Sequence, residues 1–165
     1  VAEVFPFFES ARNLEDITPG WLGFHIVAAP ARRLKADDHL EYRLRLFGVP
    51  LRWKTRILRL DPGQGFVDEQ VKGPYRSWIH THCFEPSRDG GTLMEDRVDY
   101  ELPFGVLGRL AASIVALQLR TIFSYRFKRV DDLYPPGIDA TEHTLEYPAP
   151  GSPEQGDGGR RDRLE

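Results

Sequence analysis

From Trp21 onward, apolar and polar residues alternate with a period of two, and each alternating run is closed by turn residues, the pattern of consecutive β-strands. Gly23 to Ala29 ends at Pro30. His39 to Phe47 sets Leu40, Tyr42, Leu44 and Leu46 against Glu41, Arg43 and Arg45, and Gly48-Val49-Pro50 turns the chain into the next run. That run, Leu51 to Leu60, carries Leu51, Trp53, Thr55 and Ile57 on one face and Arg52, Lys54 and Arg56 on the other. Further strands are predicted over Gly65 to Val71, Arg76 to Phe84 and Thr92 to Leu102, separated by Gly73-Pro74 and by Arg88-Asp89-Gly90-Gly91. The basic residues of the second and third runs read as a solvated outer face.

The period is 3.6 on both sides of these strands. Val4, Phe5, Phe7 and Phe8 cluster at helical spacing, with a helix start expected near Pro6, and Leu14 and Ile17 predict one more helical turn before Thr18-Pro19-Gly20. After the last strand a long helix is predicted over about residues 106 to 132, with a core stripe of Leu107, Leu110, Ala111, Ile114, Leu117, Thr121 and Tyr125. Residues 135–165 are rich in Gly, Pro and charge, and a disordered tail is expected there, leaving one domain over residues 1–134. Short helices, consecutive antiparallel strands and one long helix make a segregated α+β chain: a curved antiparallel sheet wrapped around a C-terminal helix. A pocket between the two is the default expectation, because sheet and helix do not fill a strongly curved concavity.

Composition narrows the partners. The 165 residues carry 22 basic and 25 acidic side chains, a net charge of -3, with no basic footprint for nucleic acid. A single cysteine, Cys83, excludes an internal disulfide. No apolar run approaches the roughly 18 residues of a membrane span, and a cytoplasmic location is expected. The number of subunits has no signal in the sequence.

The chemistry is concentrated between Phe66 and Phe84. Residues two apart share a strand face, so Phe66, Asp68 and Gln70 align, as do Trp78, His80, His82 and Phe84, and the bulky aromatics mark these faces as inward. A hairpin at Gly73-Pro74-Tyr75 that keeps the two aromatic faces together places Asp68 opposite His80, Phe66 opposite His82 and Gln70 opposite Trp78. The same parity puts Asp96 opposite His80 or His82, with Met94, Val98 and Tyr100 on that face. A carboxylate, imidazole, carboxylate row inside an apolar cup follows. It reads as core histidines satisfied by acids, as a polar end that orients a ligand, as an acid/base site whose candidates are His80, His82 and Asp68, or as a two-His, one-carboxylate metal site. Two histidines on one strand are a common accident, and no metal or cofactor is expected. Tyr42 and Trp53 complete the expected ligand-binding set of Phe66, Asp68, Gln70, Trp78, His80, His82, Phe84, Asp96 and Tyr100. Gly105-Val106-Leu107-Gly108 reads as a hinge or close-packing feature rather than a phosphate loop.

The stretch F-x-D-x-Q-x-x-G-P-Y-x-x-W-x-H-x-H-x-F, here Phe66, Asp68, Gln70, Gly73, Pro74, Tyr75, Trp78, His80, His82 and Phe84, resembles a ligand-binding branch of the START-like (SRPBCC) superfamily. Asp96-Arg97-Val98 with Tyr100, and Leu102-Pro103-Phe104-Gly105 before the last helix, are similar too. The resemblance implies the helix-grip fold over residues 1–134 and a hydrophobic cavity, together with a strand before the first helix that would lie upstream of Val1. It implies no single reaction, since members include polyketide cyclases/dehydratases as well as carriers of apolar ligands. Binding of a lipid-like, isoprenoid or polyketide-like ligand is therefore the first expectation. A cyclase/dehydratase- or isomerase-type enzyme in the same cavity and an interaction module with a filled core are the alternatives.

Overall fold

The computed structural model describes residues 1–88, 90–134 and 141–146, the last of these as backbone. The alternating runs form β1 (His25–Ala28), β2 (His39–Leu46), β3 (Val49–Asp61), β4 (Gly65–Lys72), β5 (Ser77–Pro86) and β6 (Thr92–Glu101), each antiparallel to the next. Register shifts between Ile26 and Ala28 and between Ile57 and Arg59 bend the sheet, as bulges do. The outer face is charged as expected. Arg43, Arg45 and Arg52 are exposed, Lys54 meets Glu41 at 3.3 Å, and Arg56 meets Glu69 at 2.6 Å.

Two helical elements cover the inner face. At the front, α1 (Val4–Phe8) is followed by 3₁₀ turns at Ala11–Leu14 and Gly20–Leu22. Pro6 sits inside the first turn of α1 rather than opening it, at a position whose N–H has no intrahelical acceptor to lose. At the back, α2 (Val106–Leu133) begins at Gly105, whose φ of 50° favours a residue without a Cβ. Gly108 is a close-packing residue: a Cβ there would lie 2.3 Å from the Pro103 carbonyl oxygen.

The core divides in two. Val4, Phe5, Phe8 and Ile17 pack with Leu40, Ile57, Phe84, Met94 and Val130, while Leu44, Trp53, Trp78 and Val98 pack with Val115, Leu119 and Phe123. The helix stripe read from the sequence is corrected here. Leu110, Ile114 and Leu117 are 75, 61 and 66% exposed, and the buried face is Ala112, Val115, Leu119, Phe123 and Val130. Apolar residues surround most of the N-terminal half of α2, so periodicity left two faces to choose from, and the shape of the concave sheet selects the one with Phe123.

The second correction lies beyond α2. Residues 141–146 form β7 (Thr141–Glu146), parallel to β6 and in register from Thr92↔Thr141 to Arg97↔Glu146. The open edge of β6 offers unpaired backbone groups, and the backbone of residues 141–146 pairs with them. The rest of the expected tail, 135–140 and 147–165, lies outside the described residues.

Candidate functional site

The β4–β5 ladder follows the register set by a short hairpin: Asp68↔His80 and Phe66↔His82. Gln70 and Trp78 fall beyond its last pair, Glu69↔Ile79. Across the other edge of β5, His82 faces Asp96 and His80 faces Val98. His80 and His82 are 5 and 4% exposed and lie ring against ring, centroids 3.7 Å apart. Phe66 stacks on His82 at 4.1 Å, and Phe123 of α2 meets His80 edge-on at 5.3 Å, so packing fixes both rings.

Asp96 is fully buried, and its Oδ1 serves both imidazoles. His80 donates from Nε2 to that oxygen at 3.0 Å, while His82 Nδ1 lies 2.6 Å from it but off the line a hydrogen bond requires. The opposite ring atoms, His80 Nδ1 and His82 Nε2, turn toward Asp68 Oδ2 at 3.8 and 3.4 Å. Burial, then the neighbouring His82, lowers the His80 pKa below the ordinary histidine value. Burial opposes charge on His82 as well, but the Asp96 and Asp68 carboxylates outweigh it and hold its pKa raised. For Asp96 the burial penalty is overcome by His82 and His80, which keep it well below the usual carboxylate range. A charged Asp96 makes His80 Nε2 and His82 Nδ1 the protonated nitrogens facing it.

In front of this row lies a cavity of about 160 Å³. The sheet supplies Tyr42, Trp53, Phe66, Asp68, Trp78, His80 and His82 to its wall, all of them expected from the sequence. Tyr42 and Thr55, also in the wall, are hydrogen-bonded through their hydroxyls at 2.8 Å, and burial pushes the Tyr42 pKa up. Four expected residues stand elsewhere. Gln70 holds the β4–β5 loop, donating from Nε2 to the Tyr75 carbonyl at 2.8 Å and accepting the Tyr75 N–H at 3.3 Å. Phe84 anchors α1 through Phe5 and Phe8, with centroids 5.3 and 5.1 Å away. Asp96 sits behind the imidazoles, and Tyr100 packs on Tyr75 and Trp78 at the open end of the sheet.

The cavity also has walls that strand patterns do not reach. Phe7, Phe8, Leu14 and Ile17 close it from the front, and Leu119, Ile122, Phe123 and Arg126 from α2. Arg126 is the consequential omission. Its guanidinium lies over the Phe123 ring, 5.0 Å from the centroid, and its Nε is buried without a hydrogen-bond partner. Trp53 Nε1 is likewise buried and unpaired. The spacing 119, 122, 123, 126 was the available signal; a basic residue on an otherwise apolar helix face is an exception that strand alternation cannot reveal.

Comparison with known proteins agrees with this architecture. No curated protein matches the sequence. The crystal structure of TTHA0849 from Thermus thermophilus superposes with a TM-score of 0.54 at 19% identity, covering 74% of this chain and 82% of that one, a likeness of fold. Among the described residues no helix is long and apolar enough to cross a membrane. A family model described as polyketide cyclase / dehydrase and lipid transport matches residues 1–124, and the chain belongs to that family.

Proposed function

We propose that the protein binds a small apolar or aromatic molecule carrying an acceptor oxygen, ring or chain against the apolar wall and oxygen toward Trp53 and Arg126. The observation that carries this reading is the pair of orphaned donors, Trp53 Nε1–H and Arg126 Nε–H, in two wall residues of a cavity lined mostly by aromatic and aliphatic side chains. A buried donor left unpaired costs about 1–3 kcal/mol, so a ligand that supplies its acceptor gains that much over a hydrocarbon of the same shape. The volume favours a compact group. A cavity of about 150 Å³ holds a benzene ring, and the space here is about 160 Å³. Membership of a family described by polyketide cyclisation and lipid transport supports the same chemical class.

The test is an NMR titration of chelator-treated protein with short alkylbenzoates and the matching uncharged alkylbenzenes. The benzoates are expected to bind more tightly, to shift the Trp53 indole N–H, and to lose about 10–100-fold in affinity in Arg126→Met, the worth of a hydrogen bond to a charged group. Equal affinity for the two series, or equal binding by Arg126→Met, rules the reading out.

A further inference from the structure

We propose that Asp68, His80 and His82 form a binding site for one divalent transition-metal ion of zinc type, with Asp96 as its outer support and the cavity as its open coordination position. The sequence alone left the two histidines as an accident of strand spacing. The tertiary structure adds what spacing lacks. Asp96 on β6 accepts from His80 Nε2 at 3.0 Å and lies 2.6 Å from His82 Nδ1, and the opposite nitrogens, His80 Nδ1 and His82 Nε2, turn toward the Asp68 carboxylate. Potential ligand atoms of three side chains then converge: Asp68 Oδ2 is 3.8 Å from His80 Nδ1 and 3.4 Å from His82 Nε2, and one ligand atom from each of the three side chains lies within 4.8 Å of the others.

A proton on His82 or a metal ion can stand between these atoms, and a metal ion that binds there displaces the proton. Tetrahedral zinc, with bonds of about 2.0–2.1 Å to nitrogen and oxygen, separates its ligands by about 3.3 Å. The two edges that meet at Asp68, 3.8 and 3.4 Å, are close to this, and a turn of the Asp68 side chain can shorten them. A carboxylate on the far nitrogens of metal-binding histidines is the usual outer support of such a site, since it fixes tautomer and ring direction. Charge agrees as well: once the ion displaces the His82 proton, two neutral imidazoles and the carboxylates of Asp68 and Asp96 balance its two positive charges. Two His nitrogens and one carboxylate leave a coordination position free, as in zinc and non-haem iron sites that act on a bound molecule. Asp68, His80 and His82 all border the cavity, so that position opens into it.

The site needs no organic ligand, and its test is separate from that of the binding reading. The tag-free chain of 165 residues is stripped with chelator and titrated with Co²⁺ alone, followed by visible ligand-field absorption, and the Co²⁺ is then displaced with Zn²⁺. One equivalent is expected to bind with the intense bands of a four- or five-coordinate ion. Asp96→Asn is expected to weaken binding by about 10–100-fold, and Asp68→Ala and His82→Gln to abolish the bands while circular dichroism still reports a folded sheet. Folded wild-type protein without saturable bands overturns the proposal whatever the variants do. So do bands that survive Asp68→Ala, which would place the ion on surface histidines such as His25 and His39.

Discussion

His80 donates to Asp96 along a diagonal of the sheet, Nε2 to Oδ1 at 3.0 Å, although the residue directly across from His80 on β6 is Val98. Asp96 faces His82, so one carboxylate oxygen lies against two neighbouring rings. Asp68 approaches the same rings from the other side at longer range, with its side chain 13% exposed toward the cavity. The two acids are therefore unequal: Asp96 is a buried support, and Asp68 is the one a bound molecule or ion can reach.

Their replacement separates these roles. Asp96→Asn removes the charge from a fully buried network and is expected to cost about 3–5 kcal/mol, the penalty for breaking a buried pair. Asp68→Asn, beside the cavity, is expected to cost about 1 kcal/mol. Urea unfolding of the two variants measures the difference, and an equal or reversed order contradicts the assignment.

Gly65 opens β4 and pairs with Cys83 of β5. A Cβ at Gly65 would lie 2.1 Å from the backbone carbonyl oxygen of His82, and backbone cannot move aside as a side chain can. Gly65→Ala is therefore expected to push the strands apart, to cost about 1–3 kcal/mol as overpacking does, and to shift the His82 ring resonances. Gly20→Ala has open space and serves as the control, expected to lie within about 0.5 kcal/mol of wild type. Similar melting temperatures for the two variants would refute the close contact.

Asp38 governs part of the acid limb of stability. Arg32 donates two hydrogen bonds to its carboxylate at 2.7 Å, and the Lys35 N–H a third at 2.9 Å, which hold the Asp38 pKa below its usual value despite burial. A carboxylate depressed on folding stabilises fully above its unfolded pKa of about 3.9 and loses that contribution as pH falls through the folded value. Asp38→Asn is expected to flatten the loss of stability below about pH 4. The effect is modest, because the Arg32 side chain is 51% exposed and solvent screens the pair. Urea midpoints measured from neutral to acid pH decide it: parallel acid limbs in wild type and variant would remove the pair from the account.

Strand faces and hairpin register were legible in the sequence because both are local. Alternation puts Leu40, Tyr42 and Leu44 on one side of β2 whatever the rest of the chain does, and a short β4–β5 connection left one register that keeps the aromatic faces together. Asp68, His80, Phe66 and His82 therefore met as expected. The tertiary structure alone decided the rest. Leu117 and Leu119 are equally apolar, yet Leu119 packs with Trp53, Trp78 and Val98 of the sheet while Leu117 is exposed. That choice carries Phe123 and Arg126 into the cavity. Gln70 had the right parity for the wall but is pulled away by two hydrogen bonds to Tyr75, since a loop must satisfy its backbone groups before a side chain is free to face a pocket. The orientation of the imidazole nitrogens, too, was invisible until β6 brought the buried carboxylate of Asp96 against the far side of both rings: local pattern fixes which residues share a face, and the packing of distant segments fixes where their polar atoms point.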